Sequence, residues 1–123
     1  MKKVKQINLS WIVVSDLAKA KAFFTECVGL KVSQDNGEHG WLELSGHDGG
    51  ALLGVAQASE NCPIPPGYNA ITTFTVDNIK ESADQLARKG IALIGDVLEV
   101  PGVVKLQLFK DADGNHFQFA QNL

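Results

Sequence analysis

The stretch FKDADGNHFQFAQ, residues 109–121, decides how the chain is read. It is a tight acidic turn, DADGN, feeding a short strand in which Phe117 and Phe119 alternate with His116, Gln118 and Ala120. Alternation of this kind sets one face of a strand apart from the other. Working back from it, extended segments are expected near 91–97 and 103–109, separated by the turn VPG, with the third near 115–120. Ahead of them lies a helical stripe, Ile79, Ala83, Leu86 and Ala87, ended by Gly90. Asn78 and Glu81 stand at capping-box spacing at its start, after a strand over residues 69–76 (NAITTFTV).

The first half repeats this order. Residues 7–14 (INLSWIVV) form a strand that runs into Ser15 and Asp16, residues suited to capping a helix. Leu17, Ala20, Phe24 and Cys27 make the helical stripe, and Gly29 closes it as a left-handed cap. Extended pieces follow near 30–35, 41–45 and 51–57, with DNGEHG and GHDGG as turns. Between the halves, ASENCPIPPG holds three of the four prolines and no periodicity, as a linker does. The expected fold is therefore α+β: two tandem βαβββ modules, about 5–57 and 68–121, joined by a linker at 58–67. Neither half closes a core alone. Curved sheets side by side, backed by helices on the outside, would leave a concave cleft between them.

Composition narrows the function. At 123 residues, with 45% apolar and 20% charged residues, the chain has the make-up of one soluble domain. A net charge of −3 without a basic block argues against nucleic acid or an anionic membrane as partner. No apolar run nears the ~20 residues that span a bilayer. Polar residues Gln6, Asn8 and Ser10 interrupt any signal-peptide core, so a cytoplasmic protein is expected, with Cys27 and Cys62 as free thiols. His39, His47 and His116 lack metal-ligand spacing, and the first two fall in surface turns.

Three segments carry a family resemblance. VSDLAKAKAFFTECVGLKV, FTVDNIKESADQLARKGI and FKDADGNHFQFAQ resemble, in order, the two module signatures and the closing turn of the vicinal oxygen chelate superfamily. That superfamily includes glyoxalase I, extradiol dioxygenases and bleomycin-resistance proteins. Ala112 stands where its closing turn usually has proline. The resemblance implies four metal-ligand positions. The first lies seven residues before Asp16, at Leu9; the others fall at Gly54, Ile71 and Gln118. Leucine, glycine and isoleucine side chains donate nothing to a metal, and a glutamine carbonyl is a weak neutral ligand. No metal and no other cofactor is therefore expected.

Strand alternation places Leu9, Trp11 and Val13 on one face, with Leu52, Gly54 and Ala56 as a neighbouring wall. Asn69, Ile71, Thr73 and Thr75 share another face, as do His116, Gln118 and Ala120. Either Trp41 and Glu43 or Leu42 and Leu44 face the cleft, and Lys105 and Gln107 are expected at its rim. The surface is apolar with a few neutral hydrogen-bonding groups, as small-molecule pockets are. The expectation is a metal-free binder of an aromatic or amphipathic, antibiotic-like molecule. Trp11 would stack, Thr73 and Gln118 would orient, and Leu9, Gly54 and Ile71 would line the site. By resemblance, it is a homodimer whose cleft a second subunit can complete. The alternative is a metal-independent lyase or isomerase with His116 as general base near Glu43. A divalent-metal glyoxalase-like enzyme is disfavoured by the ligand count.

Overall fold

A computed structural model describes residues 7–60 and 64–123. Cys62 lies outside the described residues, as do residues 1–6. The chain folds as two βαβββ modules. The first holds β1 (Leu9–Val14), α1 (Leu17–Ala22), β2 (Lys31–Asn36), β3 (Trp41–Gly46) and β4 (Gly49–Gln57). The second holds β5 (Thr72–Thr75), α2 (Ile79–Arg88), β6 (Ala92–Val100), β7 (Val104–Lys110) and β8 (His116–Asn122). Each makes its own four-stranded mixed sheet, ordered β1-β4-β3-β2 and β5-β8-β7-β6. In both, the first strand runs parallel to the last and the other pairs are antiparallel.

The helix starts form as their capping residues dictate. Asp16 Oδ1 accepts the Lys19 N–H at 3.1 Å, and Asn78 Oδ1 accepts the Glu81 N–H at 3.1 Å. A second, unexpected cap repeats with them. Gln57 Oε1 accepts the Leu17 N–H at 2.8 Å, and Gln121 Oε1 accepts the Ile79 N–H at 2.9 Å. Gln57 is the last residue of β4 and Gln121 the last but one of β8, so strand and helix are fastened together at corresponding points twice. The pair VAQ and FAQ, at 55–57 and 119–121, is the sequence trace of this clasp. Gln57→Ala and Gln121→Ala are each expected to cost about 1–2 kcal/mol, since each orphans a helix-start donor. Matched thermal melts of the two variants check this; a loss confined to one of them would break the equivalence.

Helix one departs from the expected stripe. After Ala22 it continues as a π-helical turn, Phe23–Val28, and the Gly29 N–H reaches back five residues to the Phe24 carbonyl. The wider turn lets the adjacent Phe23 and Phe24 both pack inward, edge to face at 5.0 Å. Gly29 closes it at φ 93°. Cys27 is a free thiol, partly buried at the helix end.

One core runs through both modules. Ile12, Val14, Leu42, Leu44 and Val55 from the first sheet join Phe109, Phe117 and Phe119 from the second, with Phe24 and Leu86 from the helices. The join is aromatic: Phe24 packs edge to face on Phe117 at 5.4 Å, and Phe23 meets Phe109 and Phe117. The helices keep their charged sides in solvent, while their apolar sides fill the space between the modules.

Residues 109–121 now have their explanation. Asn115 is fully buried, and its Nδ2 donates to Asp111 Oδ2 and to the carbonyl of Val13 in the other module. Its Oδ1 accepts the Gly67 N–H. Asp111 Oδ1 accepts the N–H groups of Asp113 and Asn115, and Asp113 Oδ2 accepts the Ser15 N–H. Burial pushes the Asp111 carboxyl above its ordinary value, against the pull of the Asn115 hydrogen bonds. Gly67 passes so close that a Cβ would sit 2.6 Å from the Asp113 carbonyl oxygen. The turn is the clamp between modules and linker.

Candidate functional site

In the first sheet, Ile12, Val14, Leu42, Leu44 and Val55 point to the core. Their alternates occupy the opposite, open face. Register aligns Trp11, Gly54, Glu43 and Gln34 in one row across β1, β4, β3 and β2. Beside it runs the row Val13, Ala56, Trp41, Asn36. Of the two pairs open to choice on β3, Trp41 and Glu43 take the open face and Leu42 and Leu44 the core. Trp11 is 42% exposed, and its ring centre lies 6.1 Å from that of Trp41 at an interplanar angle of 56°. The Trp41 indole covers Gly54: a Cβ there would stand 2.6 Å from Trp41 Cζ2 and 3.0 Å from Trp11 Cβ. Glycine is what lets the two indoles converge. Trp41 Nε1 donates to Glu43 Oε2 at 2.9 Å, which fixes the ring. Glu43 is thus a partly buried anchor for the Trp41 indole.

The second sheet has its own open face. Thr73, Gln118 and Leu108 share a row, and Thr75, Ala120, Leu106 and Leu98 share the next. Gln118 Nε2 donates to Thr73 Oγ1 at 3.3 Å, so these two expected orienting groups hold each other. Ile71, 52% exposed, sits just ahead of β5. That strand is shorter than expected because Asn69 takes over: its carboxamide accepts the His116 N–H and donates to the His116 carbonyl. A side chain thereby replaces a rung of the ladder.

One expectation is corrected here. Gln107 is no rim residue: it is buried on the core side, and its Nε2 donates to the carbonyls of Gly95 and Leu108. It supports the irregular pairing of β6 between Ile94 and Leu98. Leu106 and Leu108 face the open side instead. Lys105 lies 3.7 Å from Glu99 as a surface pair.

The sequence-selected residues thus form two groups. Leu9, Trp11 and Gly54 share the open face of the first sheet; Thr73 and Gln118 share that of the second, with Ile71 and His116 at its end. Among the described residues, no hydrogen bond or ring contact joins the groups within one chain. His116 is exposed at the start of β8, while Glu43 lies in the other sheet, so the two residues of the lyase reading stand on different sheets. The four family positions do not fit a divalent cation: three have no side-chain donor, and Gln118 offers a single neutral carbonyl oxygen. Among the described residues, no three His, Cys, Asp or Glu side chains cluster. No helix among them is long and apolar enough to cross a membrane.

Two hollows lie between the modules, at corresponding ends. One of about 140 Å³, beside Ser15 and Asp16, is bordered by residues 111–113 of the clamp. The other, about 790 Å³, opens beside Asp77 and Asn78, where the GHDGG turn stands in the clamp's place. There His47 Nε2 meets the Gly29 carbonyl at 2.9 Å, and Leu52 and Thr73 line the mouth.

Comparison with known proteins agrees with this architecture. Residues 3–119 match the family described as Glyoxalase/Bleomycin resistance protein/Dioxygenase superfamily. YetH of Bacillus subtilis (strain 168) is 28% identical over 93% of this chain and 96% of its own. TnmS3, an antibiotic binding protein from Streptomyces sp. CB03234, superposes with a TM-score of 0.82 over the whole of both chains at 26% identity. A glyoxalase/bleomycin resistance protein from the same strain gives 0.77 over 96% of this chain and 100% of its own, at 28% identity.

Proposed function

This chain belongs to the glyoxalase/bleomycin resistance protein/dioxygenase superfamily, and we propose that within it the protein is a metal-free binder of an aromatic small molecule. The observation that carries this is the pair of indoles over Gly54. Where the family's metal enzymes need a donor, the chain has a glycine roofed by Trp41 and flanked by Trp11. That surface holds a flat apolar ring and offers no electrophile. The likeness to TnmS3, whose ligand is an antibiotic, supports a ligand of similar kind in a cytoplasmic protein.

The binding cleft needs two copies. Within one chain the Trp11 and Gln118 faces are both open, with Trp11, Ile71 and Leu98 at the surface. In a homodimer the first sheet of one copy faces the second sheet of its partner. Trp11 then stacks on one side of the ligand, and Thr73 and Gln118 orient it from the other. Leu9, Gly54 and Ile71 line the floor.

Fluorescence tests this directly, because Trp11 and Trp41 are the only tryptophans in the chain. Acridine, at a pH where it is uncharged, is expected to quench emission saturably, and Trp11→Ala to weaken its binding about tenfold, the value of one lost stacking partner. Light scattering is expected to give twice the chain mass. Unquenched emission at saturating acridine, or unchanged affinity in Trp11→Ala, would remove the proposal.

A further inference from the structure

The pocket has a charge preference as well as a shape. We infer that Glu43 makes it select planar aromatic cations over neutral or anionic rings of the same size. This rests on the binding surface proposed above and adds the ligand's charge class.

Glu43 stands in the same row as Trp11 and Gly54, next to both indoles. One of its oxygens is committed: Oε2 accepts the Trp41 N–H. That bond holds the carboxylate beside the Trp41 ring, and among the described residues Oε1 has no hydrogen-bond partner. Among the described residues, no lysine, arginine or histidine forms an ion pair with Glu43. Its neighbours across the strands are Gln34 and Gly54, both neutral. Lys31, opposite Ser45, stands in the next row of the same face and forms no ion pair with Glu43.

An indole face carries negative electrostatic potential, so it attracts cations and resists anions. Two such faces beside an uncompensated carboxylate add in the same direction. A cationic ring gains a cation–π contact and a charge-assisted hydrogen bond to Oε1. A neutral ring gains only the apolar contact, and an anionic ring meets repulsion from both sources. Partial burial weakens solvent screening at this point. The opposite open face contributes Thr73 and Gln118, both neutral, while Lys110 and His116 stand one row away at its end.

A matched series tests it on the full-length protein near pH 8: 9-aminoacridine as the cation, acridine as the neutral ring and acridine-9-carboxylate as the anion. The wild type is expected to bind 9-aminoacridine about tenfold more tightly than acridine, with the carboxylate weakest. In Glu43→Gln, whose carboxamide oxygen can still accept the Trp41 N–H, the ratio of the first two affinities is expected to fall within twofold. Glu26→Gln, on the outer side of the first helical segment, is expected to keep the wild-type ratio. Raising the salt is expected to shrink the ratio in the wild type and leave Glu43→Gln unaffected. Equal binding of cation and neutral ring by the wild type would overturn the inference and leave the binding surface standing. A ratio preserved in Glu43→Gln would do the same. If none of the three rings quenched the tryptophans, the binding surface itself would fall, and this inference with it.

Discussion

Asn115→Ala is expected to lower the stability of the protein by about 3 kcal/mol, a drop in Tm of roughly 10 °C for a chain of this size. The side chain is fully buried, and it serves three separate pieces of backbone and side chain. Its Nδ2 satisfies the Val13 carbonyl and Asp111 Oδ2, and its Oδ1 satisfies the Gly67 N–H. Alanine leaves all three without that partner, where water has poor access. Each buried polar group so orphaned costs about 1–3 kcal/mol, and partial relaxation of the turn recovers some of it. Surface asparagines in ordinary turns cost far less, so a loss under about 1 kcal/mol would show that the turn is only a connector.

The same variant carries a pH signature. Burial already holds the Asp111 pKa above its ordinary value, and the Asn115 hydrogen bond is the largest influence pulling it down. Removing the amide raises that pKa further. A carboxyl whose folded pKa is raised favours the folded state while protonated, and that contribution is lost as pH rises through the folded pKa. The deficit of Asn115→Ala against wild type is therefore expected to be fully expressed at pH 7 and to shrink toward pH 4. Urea titrations at the two pH values measure it. A deficit that grew on acidification would contradict the assignment of Asp111 as the amide's partner.

How much of this was legible beforehand follows from which interactions are local. Capping by Asp16 and Asn78, the stop at Gly29 and the order of strands rest on neighbours in sequence, and all of them formed as the pattern said. The face shared by Leu9, Trp11 and Gly54 followed from period-two alternation. Alternation says which residues share a face, however, and not which face is inside. In β7 both faces carry apolar residues, and hydrophobicity placed Gln107 outside when it lies inside. The Trp41–Gly54 contact depends on register between β3 and β4, which the two-residue turn and the irregularity between Leu44 and Gly46 set and alternation alone does not. The glutamine clasp was visible as a repeated Ala-Gln pair but has meaning only when strand end and helix start are seen to meet. The π-helical turn arises because the core of the second module asks for Phe23 and Phe24 together.

Phe117→Ala is expected to be at least as damaging as Asn115→Ala, at about 3–5 kcal/mol, and to reveal the two modules as one cooperative unit. Phe117 is fully buried and meets four rings: Phe23 and Phe24 from the first module, Phe74 and Phe109 from its own. Truncation removes the ring's transfer free energy and opens a cavity where both modules share packing. Both tryptophans lie in the first module, while Phe117 lies in the second. Tryptophan fluorescence therefore reports unfolding of the module that does not carry the substitution. If the modules were independently stable, the fluorescence transition in urea would stay where it is in the wild type. Because the core is continuous, that transition is expected to shift to lower urea by the full amount seen with circular dichroism, as a single step. Phe24→Leu and Phe117→Leu, combined in a double-mutant cycle, are expected to show a coupling of about 0.5–1.5 kcal/mol, the size of one aromatic pair. A coupling near zero, with the two probes separating in urea, would mean that the Phe24–Phe117 contact holds neighbouring modules together without making them one folding unit.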